Sequence, residues 1–251
     1  MSDAIINQAS IDAENMETQA HGQSVFWGGF KPLILWFVIE FALGFALGFA
    51  FGFVGADFQA VGPWNVTAIM TIVSGAGGVA AVSLWIGFDM GRHHPGRAHM
   101  IGWRPARDGI ANTLFRVFLA FVVLRAAQAA YFAVFTEYTG APAPSNVPAT
   151  DGLWLPHAVW IYALLLVIAP VVEEAVFRGY LQNSLKSRLS PVLSMTITAA
   201  LFASIHFDIA NWVPLFFLGL ALGAVRERTG ALWPSMALHV VNNTVALVII
   251  P

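Results

Sequence analysis

The sequence has no cysteine. That removes disulfides, thiolate metal ligands and a cysteine nucleophile together. Charge is scarce as well: 10% of the residues are charged, against about 25% in ordinary soluble domains. The net charge of −2 leaves no basic footprint for a nucleic-acid partner. Lys and Arg are missing from residues 1–30, where Asp3, Asp12, Glu14 and Glu17 stand. A secretory signal needs a basic start and a short apolar core, so 1–30 reads as a polar tail. What the chain has in excess is apolar surface, 58% hydrophobic residues against about 45–50% in soluble domains. A soluble fold of 251 residues has no interior for so much of it; a bilayer does.

A membrane-crossing helix takes roughly 20 mostly apolar residues. Candidates run near 32–55, 65–88, 109–135, 156–185, 191–208, 211–226 and 231–250. The expected fold is an all-α polytopic membrane bundle of about seven helices. Its first part, 31–155, holds three helices and a basic loop at 89–108; its second, 156–251, holds four. Arg92, Arg97, Arg104 and Arg107 lie in the basic loop, Lys186 and Arg188 come after the fourth helix, and Arg226 and Arg228 after the sixth. The intervening loops, near Asp57, at 136–155 and near Asp208, carry acids and neither Lys nor Arg. By the positive-inside rule the N-terminus is cytoplasmic and the C-terminus outside. The expected location is a bacterial inner membrane. Gly44, Gly48 and Gly52 stand four apart on the first helix, and small residues at that spacing predict close helix packing within the bundle.

Ionisable side chains inside membrane helices are costly and point to function. Here they are few: Glu40, Arg116, Arg125, Glu173, Glu174, Arg178, His206 and His239, with Asn242 and Asn243 close behind. Glu40 and Arg125 are expected to pair as a structural ion pair between the first and third helices. Glu174 and Arg178 share a helix face at i and i+4. Glu173 points about 100° away and is left free for proton transfer. Pro170 supplies no N–H to Leu166, which opens the helix for water or a substrate backbone. Depth fixes where this helix ends. His206 lies about 22 Å into its helix, so Glu173 can meet it only if the fourth helix continues to Lys186. On the last helix His239 and Asn243 are again four apart.

These groups can build a hydrolytic site in two ways. A water held by Glu173 and His206 can lose a proton to the carboxylate and attack a peptide carbonyl, with His239 and Asn243 as donors to the oxyanion. Alternatively Glu173, His206 and His239 can be three ligands of Zn²⁺, with water fourth. A proton-relay transporter and a non-catalytic scaffold remain as readings of a different class.

The three motifs, EEAVFR at 173–178, FASIH at 202–206 and HVVNN at 239–243, resemble those of the CPBP family of CAAX prenyl proteases and bacteriocin-processing or immunity (Abi) proteins. Its pattern is EExxxR, FxxxH and HxxxN on separate helices. The resemblance covers about 156–250. It implies an intramembrane endopeptidase with a cavity open to the cytoplasm and a membrane-embedded or lipidated peptide as substrate. It makes Glu173 the water-activating base, His206 its partner, and His239 and Asn243 the oxyanion site. Glu174, Arg178 and Phe202 support them. The family has been labelled both metallo- and glutamate-type, and Zn²⁺ stays open on that ground too.

Overall fold

The structure, a computed structural model, describes residues 26–55, 66–93, 96–142 and 155–249. The polar tail before Phe26 and the acidic loops around Asp57 and at 143–154 lie outside the described residues. All elements among the described residues are helical, as a chain in lipid must be when every backbone group is satisfied within its own segment. In order they are α1 (Lys31–Phe53), α2 (Val66–His93), the short α3 (Gly96–Ile101) and α4 (Gly109–Thr139). A continuous helix over 155–186, here α5, is next. Then come α6 (Pro191–Ser204), α7 (Trp212–Thr229) and α8 (Trp233–Ile249).

Among the described residues, four helices are long and apolar enough to cross a membrane: Phe26–Phe53, Ile72–Arg92, Gly109–Thr139 and Ala158–Lys186. The chain is therefore an integral membrane protein. The last three helices differ from the even set of crossings expected. They have 14, 18 and 17 residues, and 14 residues rise only about 21 Å against a hydrocarbon core of about 30 Å.

Local sequence explains the ends. The Ser190 hydroxyl accepts from the Leu193 amide, and Pro191 stands at the first helical position, so α6 starts where an N-cap and a preset φ coincide. α7 stops at Gly230, whose φ of +69° lets its amide reach the Arg226 carbonyl. α5 runs to Lys186, as the depth of Glu173 required.

The outer face of α1 is a row of exposed phenylalanines, Phe41, Phe45, Phe49 and Phe53, suited to lipid. Its inner face meets α2 closely because Gly77 and Gly78 leave room for Leu43 and for the Trp36 ring. The glycine stripe of α1 does not play that part. A Cβ at Gly44 or Gly52 would meet nothing within 4 Å, and one at Gly48 only Met70. The close seam of the second half lies between α6 and α7, where Gly219 packs on Ala199 and Gly223 on Met195.

The polar tethers gather at the two ends. At one, Lys186 and Gln182 of α5 both reach the Glu227 carboxylate of α7, at 2.7 and 2.9 Å. There too Arg116 pairs with Asp108 at 2.7 Å. At the other, the Tyr131 hydroxyl donates to the Ala210 carbonyl at 2.8 Å, joining α4 to the α6–α7 loop.

Candidate active site

The centre of the second half is a buried ion pair. Arg178 Nη1 donates to Glu174 Oε1 at 2.9 Å, with both side chains fully buried. Arg178 Nη2 donates to the Gly219 carbonyl at 3.1 Å, and the guanidinium lies 4.7 Å over the Phe202 ring. Phe202 is the hub of the cluster. Its ring meets Phe177, His206 and His239 edge-on, at 5.4, 5.0 and 5.6 Å.

His239 joins the two glutamates. Its Nδ1 stands 3.0 Å from Glu174 Oε1 and its Nε2 3.7 Å from Glu173 Oε2. A carboxylate paired with a guanidinium only accepts, so Nδ1 carries the hydrogen and Nε2 faces Glu173. His206 is fixed in the same sense: its Nδ1 donates to the Phe202 carbonyl at 2.8 Å, which leaves its Nε2 for the site. The residue is not on the helix, where it was expected. α6 ends at Ser204, and Phe207 turns the chain with φ +51°, a conformation rare for a bulky residue and associated with functional sites.

Glu173 and His206 line two cavities at once. One, of about 150 Å³, opens toward α4, α7 and α8 and also touches His239, Asn243, Arg125 and Tyr162. The other, of about 360 Å³, opens toward α1 and α2 and touches Glu40, Trp36 and Ser74. The expected Glu40–Arg125 ion pair is therefore not formed: the two groups face different cavities. Arg125 donates to Gln128 Oε1 at 2.9 Å, and Glu40 is bonded by the Trp36 side chain and feels the charges of Glu173 and His206. A lone acid in an apolar helix was the available signal for Glu40; sequence reasoning gave it the wrong partner.

Two π-helical stretches in α5, Leu164–Ile168 and Ala175–Leu181, flank the glutamates. Such bulges recur at functional sites. In the first, the Ala169 amide reaches back five residues to Leu164. The next amide in that pattern would be Pro170, which has none, so the Leu165 carbonyl is left free. Asn243 Nδ2 donates to that carbonyl at 3.0 Å. The proline thus frees Leu165 rather than Leu166, and Asn243 fastens α8 to the gap with one N–H to spare.

The residues fit a zinc site poorly. Among the described residues no group of three His, Asp or Glu side chains could hold a metal ion. Glu173, His206 and His239 share a cavity without forming such a set.

Fold and site together define a polytopic helical membrane protein with a buried glutamate–imidazole centre. Residues 155–245 match the family described as Type II CAAX prenyl endopeptidase, Rce1-like, the stretch that carries the three motifs. A protein of Escherichia coli described as an uncharacterized 24.3 kDa protein is 31% identical over 98 residues, 37% of this chain and 45% of the relative. The chain thus spans less than half the length of that relative. No solved structure matches the chain.

Proposed function

We propose that the protein is an intramembrane endopeptidase that hydrolyses a peptide bond in a membrane-associated substrate with a water activated by Glu173. One observation carries this reading. Glu173 stands at the shared wall of two cavities, 3.7 Å from an imidazole nitrogen that the buried Glu174–Arg178 pair holds in place. Water bound between Glu173 and His206 Nε2 gives a proton to Glu173, and its oxygen bonds to the scissile carbonyl carbon. The spare N–H of Asn243, and His239 through Nε2 when its ring is doubly protonated, serve the oxyanion that forms. The C–N bond then breaks, and the proton passes from Glu173 to the leaving amine. Every step uses side chains of this chain alone. Metal analysis of purified protein, with activity before and after chelation, tests that: bound zinc together with chelator-sensitive cleavage would refute it.

We place the basic end of the bundle in the cytoplasm of a bacterial cell, by the positive-inside rule. The substrate class is a membrane-embedded or lipidated peptide, as the family's description suggests. The test compares membrane peptides from cells making wild-type protein or Glu173→Gln. Loss of the general base lowers cleavage about 10²–10⁴-fold in a variant that still purifies as folded protein. Unchanged cleavage by folded Glu173→Gln would overturn the assignment.

A further inference from the structure

At the basic end, some distance along α5 from the glutamates, a separate cavity of about 430 Å³ is lined by His99, Arg104, Arg107, Lys186, Arg226 and Glu227, among others. Basic residues at one end of a membrane bundle are expected from topology alone. Topology does not require that they converge, or that one be buried. Arg226 is only 6% exposed. Its Nε has no hydrogen-bond partner among the described residues, and its Nη2 makes one long contact, 3.5 Å, to the Met100 carbonyl.

Among the described residues the one carboxylate in this cavity wall is already taken, since Glu227 binds Lys186 and Gln182. None of the three guanidiniums pairs with a carboxylate among the described residues. Arg104 spends its Nε on the Gly230 carbonyl, at 2.8 Å, and Nη1 on His99, at 2.9 Å, while Arg226, attracted by the charge of Glu227, also feels the like charges of Arg104 and Arg107. Two left-handed glycines make room for this crowding. A Cβ on Gly102 (φ +89°) would strike the Arg226 guanidinium, and one on Gly230 (φ +69°) would strike that of Arg107. The backbone is thus shaped to hold like charges together, an arrangement that an anion relieves.

We infer that this cavity binds a phosphate-bearing anion through Arg104, Arg107 and Arg226. Guanidinium forks match phosphate oxygens in pairs, and basic pockets at the end of membrane helices take anionic headgroups. The group comes from a phospholipid headgroup or from free phosphate, and its binding would clamp the α3–α4 loop, α5 and α7 together. The site is independent of the peptidase reading.

The test is thermal unfolding of the full chain in a neutral detergent, in two arms. One titrates phosphatidylglycerol against phosphatidylcholine; the other titrates inorganic phosphate against chloride at matched ionic strength. A saturable stabilisation is expected, from the lipid alone if a headgroup is bound and from phosphate as well if the bare group suffices. Arg107→Gln, at an exposed position, and Arg226→Gln should each weaken the midpoint about tenfold, the loss of one charge-assisted contact. Arg107→Gln keeps the test decisive if Arg226→Gln fails to fold. Arg116→Gln, which removes a cation paired elsewhere with Asp108, should leave the midpoint unchanged. No saturable shift in either arm, or equal weakening by Arg116→Gln, would overturn the site.

Discussion

The long helices α1 and α4 and the unit from α5 onward solve the membrane in opposite ways. In the most apolar stretch of α1 and of α4, 11% of residues are buried inside the protein, whereas in α5 the share is 44%. The first two show phenylalanine and valine to lipid and use few side chains to specify a neighbour. α5 buries a glutamate, an arginine and a glutamine within three turns, and α6 to α8 answer each of them. Hydropathy therefore records contact with lipid, while the departures from hydropathy record contact between helices and, at Glu173, a cavity.

The largest expected effect breaks the second half at its ion pair. Arg178→Ala leaves Glu174 buried beside His239 with no guanidinium, and removing one partner of a buried pair costs about 3–5 kcal/mol. The matching change on the lipid side, Phe49→Leu on the outer face of α1, should cost about 0.5 kcal/mol or less. Thermal unfolding of both variants in the same detergent compares them. Equal melting temperatures would mean that the buried pair contributes no more than a lipid-facing ring.

Glu40 sharpens the contrast, because it is the place where α1 behaves like the second half. Its carboxyl faces the cavity that also holds Glu173 and His206. If α1 only covers the site, Glu40→Gln is silent. If its charge tunes the site, cleavage should change about tenfold, the equivalent of one pH unit of proton affinity, with a displaced pH–rate profile. Rate and profile are both read on the same substrate as the Glu173 variant, and unchanged values in both would confine the site to residues after 155.

Much of this was legible beforehand, and the misses have a common cause. Long apolar runs gave the helices, and the need for Glu173 to reach His206 gave the end of α5 at Lys186. The three motifs named residues that do line one cavity. What the helical wheel could not give was the phase of α5. Each extra residue in a π turn rotates the remainder of the helix by about 100°, which turns Glu173 and Glu174 together; they stay about 100° apart and meet the His239 ring at different nitrogens. The same bulge redirects the gap left by Pro170 to Leu165 and so to Asn243. The end of α6 before His206, and the separation of Glu40 from Arg125, depend on tertiary packing that no single helix encodes. Gly44, Gly48 and Gly52 have the spacing of a packing seam, yet Gly77 and Gly78, with no such pattern, provide the close approach.

The smallest effect tests whether the α6–α7 loop belongs to the rigid second half. Asp208 accepts from the Asn211 amide at 3.1 Å and from its side chain at 2.7 Å, and Asn211 lines the cavity with Glu173. The side-chain hydrogen bond from Asn211, more than the backbone amides, holds the Asp208 carboxyl below its ordinary range. A carboxyl so held stabilises the folded state above its unfolded titration point and loses that contribution as the pH falls through its folded one. Because the group is partly exposed to solvent, screening limits the effect to about 0.5 kcal/mol. The wild type should therefore lose slightly more stability than Asp208→Asn on going from neutral pH to about pH 3. Parallel curves for the two proteins would mean that the loop contributes nothing to holding the cavity wall, and that the turn at Phe207 positions His206 without help from Asp208.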